Sequence, residues 1–425
     1  MAAVRSRRAG VACRIERVTT ELLGVALPVG LTAWDGSTAG PPGTPRVVLR
    51  RRRALRHILW SPGVLGMARA FVSGDLEVQG DLTEGLRRCW ALARQQRLRG
   101  LRFGPRQWRR LAGVAASLGV LGPRPEPPKS EARLSGALHS RSRDRSAIAH
   151  HYDAGNRFYE LLLDPRMAYS CGYWTSEAAG YTLADAQEDK LELICRKLNL
   201  AEGDRLLDVG CGWGSLILYA AQRYDVHATG VTLSQQQADH VRRRIEQLGL
   251  RARVEVRLQD YRELDDRPYD AIASIEMGEH VGKRNYPTYV ASLHRVLRPH
   301  GRLLLQQMSR GATAPGGGAF IESYIAPDMN MVPVGRTLDH LEYAGFETRE
   351  VRAMREHYVP TVRSWAQTLE KSWDEVVGLV GAEQARVWRL YLAGGALAFE
   401  ENRMGVNQIL SVRPGDDVGC VRGFE

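Results

Sequence analysis

The chain of 425 residues has no apolar run close to the ~20 residues that a membrane-spanning helix needs. Its longest candidate, 111–122, is too short and contains glycine. The N-terminus carries Arg5, Arg7 and Arg8 but no apolar segment before Arg14, so no secretory signal is evident. These absences predict a cytoplasmic protein, for which any contact with a membrane would be peripheral and at the inner face.

Cysteine is scarce and scattered. The sequence has six cysteines and no C-x-x-C pair: Cys13, Cys89, Cys171, Cys195, Cys211 and Cys420. Structural zinc sites and the disulfide frameworks of secreted domains need closely spaced cysteines. We therefore expect reduced thiols and no bound metal.

Two common nucleotide-binding patterns are also absent. Neither G-x-G-x-x-G nor G-x-x-x-x-G-K-[ST] occurs where a strand feeds a helix, which disfavours a dinucleotide or a triphosphate. Instead, D-x-G-x-G-x-G runs from Asp208 to Gly214, between a strand ending at Val209 and a helix beginning at Ser215. Glycine allows unusual dihedrals and close approach of a ligand. The pattern suits a nucleoside with an amino-acid tail, whose ammonium would meet Asp208, although such turns also occur as plain structure.

Charge is unevenly distributed. Residues 1–145 contain 27 Lys and Arg against 10 Asp and Glu, a net charge of +17, whereas the remainder has 32 against 38, a net charge of −6. A basic half of this kind indicates a polyanionic partner, either nucleic acid or an anionic membrane surface. The alternative is an arginine-rich surface that is merely solvated.

Composition and periodicity divide the chain into three parts. Residues 1–122 predict a smaller, basic α+β domain, and 123–146, rich in Pro, Ser and Arg, predict a mobile linker. In 147–425, alternating strands and helices predict an α/β domain with a mostly parallel, doubly wound sheet of seven strands. The helical insertion Thr361–Glu400 is expected to roof a pocket.

Polar residues follow the next two strands of this sheet. Gly230–Ser234 lacks the acidic residue that usually binds a ribose diol, but Gln237 can hydrogen-bond hydroxyl groups. The alternative is that Ser234 is a plain helix cap and Gln237 is solvated. An adenine ring could lie against Tyr261 with its amino group on Asp260.

The fourth strand runs into S-I-E-M-G-E-H-V-G, residues 274–282. Methyltransferases that act on base amino groups carry N/D/S-P-P-Y/F/W at this position, and this chain does not. Two acids and a histidine at a sheet edge are costly to bury without a role. The pattern therefore argues against a nucleic-acid methyltransferase, the alternative that the basic half suggests.

Motifs that come in a fixed order extend this interpretation. They are H-Y-D-x-x-N-x-F-Y, Y-S-C-x-Y-W, L-D-V-G-C-G-W-G, G-V-T-L-S-x-x-Q, E-H-V-G-x-x-N-Y, H-Y-x-x-T and R-M-G-x-x-Q. Together they resemble the cyclopropane-fatty-acyl-phospholipid synthase family of S-adenosylmethionine-dependent methyltransferases. The resemblance is dense over 146–412 and weaker over 46–95, where S-G-D-L-E-V-Q-G-D-L is similar to that family's N-terminal domain.

The resemblance implies a Rossmann-like class I methyltransferase fold and a set of site residues. S-adenosylmethionine would be held, together with Asp208 and Asp260, by Tyr169, Ser170, Gly210, Gly212, Thr232, Leu233, Gln237, Tyr261 and Ile275. Family members bind bicarbonate beside the transferring methyl, and the matching positions here are Cys171, Glu279, Gln306, Met308 and Tyr358. Gln306 departs from the pattern, because the cyclopropane-forming members have histidine there and glutamine cannot carry a proton charge.

The implied reaction is methyl transfer to the cis double bond of an unsaturated phospholipid acyl chain. Bicarbonate held by Glu279 and Tyr358 would remove the proton, and Glu279 alone as base is the simpler alternative. Cys171 as a covalent nucleophile is not expected, because the path has no acyl or disulfide step. A third interpretation, a non-catalytic lipid-binding module, conflicts with the complete cofactor motif.

The product is predicted from Gln306 and from the stretch Gly316–Met329, which resemble actinobacterial methyltransferases that begin tuberculostearate (10-methylstearate) synthesis. We therefore expect 10-methylene-stearoyl lipid from oleoyl lipid, with a cyclopropane product as the alternative. The resemblance further implies a separate flavoprotein reductase and a homodimer, with no nucleic-acid partner.

Overall fold

The structure, a computed structural model, describes residues 10–95, 104–132, 135–144, 147, 155–311 and 318–415. The chain divides into two compact units. The first comprises Met1–Glu131 and Gly381–Leu397, and the second comprises Ala132–Val380 and Ala398–Glu425.

The first unit is α+β, as predicted. A four-stranded sheet has the order β2-β1-β3-β4, in which only β1 and β3 are parallel. The elements of this unit, in chain order, are α1 (Val11–Leu23), β1 (Gly30–Thr32), β2 (Thr38–Ala39), β3 (Arg46–Leu49), α2 (Arg53–Trp60), α3 (Val64–Val72), β4 (Leu76–Gln79), α4 (Leu82–Gln95) and α5 (Pro105–Ser117).

A buried carboxylate stabilises the start of β4. Asp75 is 1% exposed, and it accepts hydrogen bonds from the guanidinium of Arg53 at 2.5 and 3.1 Å and from the Ser73 hydroxyl at 3.2 Å. A carboxylate can be buried when donors and an opposite charge compensate for its lost hydration. Asp75 belongs to the S-G-D-L motif, so this part of the motif has a structural explanation.

The second unit contains a seven-stranded sheet of order β10-β11-β9-β8-β5-β6-β7. The five strands from β9 to β7 are parallel, and β11 pairs antiparallel with both β9 and β10. The elements are α6 (Asn156–Leu162), α7 (Leu183–Leu198), β5 (Arg205–Val209), α8 (Ser215–Tyr224), β6 (His227–Thr232), α9 (Gln235–Gln247), β7 (Val254–Leu258), β8 (Tyr269–Ile275), α10 (Tyr286–Val296), β9 (Leu297–Ser309), α11 (Ala319–Tyr324), α12 (Val334–Tyr343), β10 (Glu347–Ala353), α13 (Arg355–Lys371), α14 (Trp373–Glu400) and β11 (Gly405–Val412). The predicted α/β class and mostly parallel seven-stranded sheet are confirmed.

The helical insertion differs from the expected single roof. Within α14, Gly381 has φ +80° and interrupts the helical conformation, which a residue without Cβ tolerates. From Gly381 to Leu397 the chain belongs to the first unit, where Leu390 packs against the apolar core. Only α13 and the ends of α14 remain with the second unit.

The segment predicted to be a mobile linker is fastened within the second unit over 135–144. Arg143 pairs with Asp328 at 2.6 Å, and Asp144 pairs with Arg262 at 2.7 Å. These ion pairs join 135–144, the C-terminal part of the predicted linker, to the second unit.

Some predicted features lie outside the described residues. They are His151, Tyr152 and Asp153 of the first motif, Gly316 and Gly317, and Cys420. Within the described ranges, no helix is both long and apolar enough to cross a bilayer.

Candidate active site

The carboxyl ends of β5, β6 and β8 border a cavity whose empty volume, mouth included, is about 1280 Å³. Ligands of open α/β sheets bind at this edge. Ten of the eleven predicted cofactor residues line the cavity: Tyr169, Ser170, Asp208, Gly210, Gly212, Thr232, Leu233, Gln237, Tyr261 and Ile275. Asp260 does not, because its carboxylate accepts from Arg262 Nε at 2.8 Å and caps the turn that begins at Tyr261.

The glycine turn after β5 is shaped by backbone conformations that favour glycine. Gly210 and Gly212 have φ +86° and +53°. A Cβ on Gly210 would lie 2.7 Å from Met277 Cγ, whereas a Cβ on Gly212 would meet nothing within 4 Å. Gly210 is therefore required by packing, and Gly212 leaves open space on the cavity wall.

Buried polar atoms on the cavity wall have no hydrogen-bond partner among the described residues. They are Asp208 Oδ1, Gln237 Nε2 and Tyr261 Oη. Gln237 is held by Thr232, whose hydroxyl donates to Gln237 Oε1 at 2.7 Å, so its amide NH₂ is left for a ligand. Buried polar groups are normally satisfied. An acceptor, a donor and a phenol in this arrangement fit the ammonium, hydroxyl and adenine groups of S-adenosylmethionine.

The floor of the cavity combines a carboxylate with an ammonium group. Burial raises the pKa of Asp208 to about 7, an effect that the nearby Lys190 opposes. Lys190 is 1% exposed and donates to the Ser170 hydroxyl at 2.7 Å. Lys190 was not predicted from the sequence, because a lysine in an amphipathic helix is usually expected on the solvent-exposed face.

A second group of predicted residues converges on one carboxylate that lines the cavity, that of Glu276. Glu276 Oε1 accepts from the backbone N–H of Cys171 at 2.9 Å and from Gln306 Nε2 at 2.8 Å. Its Oε2 accepts from the Tyr358 hydroxyl at 2.5 Å. Three residues predicted to bind bicarbonate therefore hold a side chain of the protein itself.

The spacing of His357 and Thr361 in H-Y-x-x-T has a structural explanation, because it places both residues of α13 against the 171–174 segment. His357 Nδ1 accepts from the backbone N–H of Trp174 at 3.1 Å. The Thr361 hydroxyl accepts from Gly172 N at 3.1 Å and from the Trp174 indole at 3.0 Å. These contacts fix Tyr358, which lies between them in the helix, against Glu276.

Glu279 lies apart from this cluster. It is completely buried; its carboxylate accepts from the Met308 backbone N–H, and its carbonyl accepts from Asn330 N at 2.8 Å. Burial raises the pKa of Glu279 to about 8, and the charge of Glu276 adds to the shift. Its Oε2 has no partner among the described residues. Glu279 thus links β9 to the loop before α12, and it does not line the cavity.

The Cys171 thiol faces away from the cluster, toward the carbonyls of Gly172 and Met354 at 3.3 and 3.7 Å. Burial, with the charge of Glu276, raises the pKa of Cys171 well above its usual value. A protonated, buried thiol is a poor nucleophile. Cys171 therefore contributes its backbone N–H to the site.

Glu276 belongs to the S-I-E-M-G-E-H-V-G motif, but the family resemblance implied Glu279 as the acidic residue of the site. The usable signal was position: Glu276 is the first residue after β8, where the sheet edge meets ligands.

Known proteins match this chain over most of its length. Residues 139–409 match the mycolic acid cyclopropane synthetase family. A probable fatty acid methyltransferase of Mycobacterium tuberculosis is 39% identical, with 92% of this chain and 93% of that protein covered. The Escherichia coli cyclopropane-fatty-acyl-phospholipid synthase is 35% identical, with 67% and 73% covered. A tuberculostearic acid methyltransferase of M. tuberculosis is 30% identical, with 92% and 88% covered.

Among solved structures, the mycolic acid cyclopropane synthase CmaA1 in complex with SAH and CTAB has a TM-score of 0.59 at 30% identity. The match covers 63% of this chain and 98% of that chain.

Gly212→Val should lower the affinity for S-adenosylmethionine by about 100-fold or more, because the side chain would fill the space that the ligand needs. The matched control is Gly249→Val: Gly249 also has a positive φ and open space around it, but it lies outside the cavity. Isothermal titration calorimetry measures both affinities, and circular dichroism checks folding. Equal affinities of the two variants would contradict this assignment.

Binding of S-adenosylmethionine should depend on the protonation of Asp208. As the pH falls below about 7, the carboxylate takes up a proton and no longer attracts an ammonium, so the affinity should fall by up to about tenfold per pH unit. Asp208→Asn should bind more weakly at neutral pH and show no such acid decline. Calorimetric titrations of both proteins between about pH 7.5 and pH 5.5 measure this; a flat wild-type profile would refute it.

Proposed function

The chain belongs to the mycolic acid cyclopropane synthetase family of S-adenosylmethionine-dependent methyltransferases that act on lipids, and from this we propose that it methylates the cis double bond of unsaturated phospholipid acyl chains. The observation that carries the proposal is the buried Glu276 cluster, which places a hydrogen-bonded carboxylate on the wall of the cofactor cavity.

S-adenosylmethionine, when bound, supplies an electrophilic methyl group. The protein must bring a weakly nucleophilic alkene into line with that methyl and exclude water. It must also stabilise the carbocation that forms when the π electrons make the new C–C bond. The ring of Tyr169 lines the cavity and provides aromatic surface for this task. It packs against Trp365, with ring centroids 5.2 Å apart, which holds it in place.

The cation then loses a proton to a base. Loss of a proton directly from the new methyl group closes a cyclopropane ring. A 1,2-hydride shift followed by the same proton loss leaves a methylene (=CH₂) branch on the acyl chain. The family resemblance implies bicarbonate as this base, held by Cys171, Glu279, Gln306, Met308 and Tyr358. A carboxylate of the protein is the other source.

The methylene product is favoured by Gln306. Its Nε2 donates a neutral hydrogen bond to Glu276, and its Oε1 accepts from Gln408 Nε2 at 3.0 Å. Gln408 lies opposite Gln306 in the β9–β11 register, so the amide is fixed in this orientation. A neutral amide holds an anionic base less firmly in place than a protonated imidazole would. We infer that proton loss is thereby delayed and the hydride shift can compete.

Expression of the protein alone in a host with oleoyl or vaccenoyl phospholipids should yield mainly the methylene-branched acyl chain. Gas chromatography with mass spectrometry of fatty-acid methyl esters separates it from the cyclopropane isomer by retention time and fragmentation. Gln306→His should raise the cyclopropane share, and Gly212→Val should give neither product. A predominantly cyclopropane product from the wild type would overturn the proposed product.

The alternative substrate class is nucleic acid, suggested by the basic N-terminal half. Incubation with labelled S-adenosylmethionine and either oleoyl phospholipid vesicles or RNA distinguishes the two. We expect label in the lipid alone, and label in RNA would overturn the proposal.

A methylene product requires further processing to become a methyl branch. That step consumes two electrons, which methyl transfer does not supply, so we propose a separate flavoprotein reductase as the enzyme that follows. We also propose a homodimer, by family resemblance.

We propose that the first unit binds the membrane surface through an exposed apolar corner where α2 meets α3. This corner consists of Leu59, Trp60, Val64, Met67 and Leu121, which are 37–67% exposed. The Trp60 indole donates to the Gly122 carbonyl at 3.1 Å, which brings Leu121 next to the helices. Exposed Arg51 and Arg52 precede α2. Apolar side chains beside cationic ones suit the interface of an anionic bilayer.

Binding to anionic phospholipid vesicles should weaken with salt, because each basic residue near the surface contributes about 1 kcal/mol. The double variant Trp60→Ala/Val64→Ala should reduce vesicle binding at high salt by about tenfold. Salt screens the electrostatic attraction, so the binding that remains at high salt depends on insertion of apolar side chains. The control is Tyr343→Ala, which removes a 91% exposed aromatic from the second unit. Vesicle sedimentation measures each variant; equal binding to neutral vesicles at all salt concentrations would refute the proposal.

A further inference from the structure

We propose that the carboxylate of Glu276, rather than a bound bicarbonate ion, is the base that accepts the proton in this enzyme. The inference rests on the proposed function and identifies the group that carries out its last step.

The donors that a bicarbonate ion would need are already occupied. The three hydrogen bonds that Cys171, Gln306 and Tyr358 would offer to a bicarbonate ion are already donated to Glu276, at 2.9, 2.8 and 2.5 Å. The donors are a backbone N–H, an amide N–H and a hydroxyl group, and each of these hydrogens can point at only one acceptor at a time. A second anion at this place would also lie against a buried carboxylate with no cation added. The residues present therefore do not fit a bicarbonate ion.

The Glu276 carboxylate is chemically equivalent to the ion that it would replace. A glutamate carboxylate and a bicarbonate ion present the same planar O–C–O group, with similar demand for hydrogen-bond donors. Glu276 Oε1 accepts two hydrogen bonds and Oε2 accepts one. A carboxylate has about four acceptor positions, so Oε2 keeps one lone pair for an incoming proton.

Glu276 is also the member of this cluster that faces the cavity. Glu276 lines the cofactor cavity, whereas Cys171, Gln306 and Tyr358 do not. The donors thus lie behind the carboxylate, and the carboxylate lies between them and the cavity where methyl transfer occurs. Glu279, the alternative base, points to the Met308 backbone N–H and is outside the cavity wall.

The backbone supports a specific role for this position. Glu276 has φ +54°, a left-handed conformation that costs a non-glycine residue stability. Its N–H donates to the Gln306 carbonyl at 2.6 Å, which holds the backbone beside β9 in that conformation. Strain of this kind persists where the surrounding structure fixes a functional side chain.

In the proton transfer, a C–H bond of the new methyl group breaks, and its electron pair becomes the second bond of the C=CH₂ group, which neutralises the cation. In the cyclopropane alternative the same electron pair forms the ring-closing C–C bond. The proton goes to Glu276 Oε2 and leaves later to solvent. Burial raises the pKa of Glu276, while the donors and Lys190 lower it, so the carboxylate is more basic than an exposed one. A buried glutamate of this kind is typical of enzymatic general bases.

Two variants test the inference in buffer freed of carbon dioxide. Glu276→Gln keeps the size of the side chain but cannot take up a proton, so kcat should fall by about 100-fold or more while the Kd for S-adenosylmethionine changes little. Glu276→Gly removes the carboxylate at a position whose φ glycine readily adopts. It should be equally inactive, and added bicarbonate should restore part of the activity by occupying the vacated position.

The readout is the initial rate of S-adenosylhomocysteine release with oleoyl phospholipid vesicles. The wild-type rate should not change when bicarbonate is added. The inference is overturned if wild-type activity requires bicarbonate, or if either variant retains wild-type kcat without it. An inactive wild type in both buffers would instead contradict the proposed function.

Measurement of bicarbonate binding tests the inference even if the wild type shows no activity. Titration of the S-adenosylhomocysteine complex with bicarbonate should give saturable binding to Glu276→Gly and none to the wild type. Glu279→Gln is the matched control, because it alters the neighbouring buried glutamate but leaves Glu276 in place, and it should also bind none. Bicarbonate binding by the wild type, or failure of Glu276→Gly to bind it, would contradict the inference.

Discussion

Removal of acidic side chains from water at one edge of the sheet is the constraint on which the site depends. Asp208, Glu276 and Glu279 are all buried, and burial raises the pKa of each. An isolated buried charge is too costly to keep. Each carboxylate is therefore compensated differently: Asp208 has Lys190 nearby, Glu276 has three donors, and Glu279 has a backbone N–H and a raised pKa. The three acidic residues at this edge of the sheet therefore differ in charge compensation and in the availability of their carboxylate oxygens.

Much of the second unit follows from local sequence. The strand that ends at Val209 and the helix that begins at Ser215 have these predicted bounds in the structure, because an apolar run is followed by a glycine turn. Eleven cofactor residues were predicted, most of them from the family resemblance, and ten line the cavity. Those that follow β5, β6 and β8 agree because strand ends of a parallel sheet meet at one edge. Lys190 and the role of Glu276 were not, because they depend on which side chains tertiary packing brings together. Nor could the sequence indicate that 381–397 belongs with the first unit.

The motifs act together although they are far apart in the chain. Gly172 and Thr361, separated by 189 positions, share a hydrogen bond, and Gln306 and Gln408 pair across two antiparallel strands. Spacing within each motif is local, as in H-Y-x-x-T, where one helical turn separates the two residues that contact the 171–174 segment. Their combination at Glu276 is a property of the fold, and it explains why neutral Gln306 is compatible with an acid at 276: an amide N–H satisfies the carboxylate without forming an ion pair.

The interruption at Gly381 has a consequence for how the protein can be divided. The polypeptide passes between the two units three times, after Glu131, before Gly381 and after Leu397. A fragment that ends anywhere before Gly381 would leave the first unit's apolar core without Leu390, and one that begins at Ala132 would carry that segment with its core-facing side chains exposed. Neither unit can therefore be excised as one continuous stretch of chain, and recombination between relatives would have to exchange both segments of the first unit together.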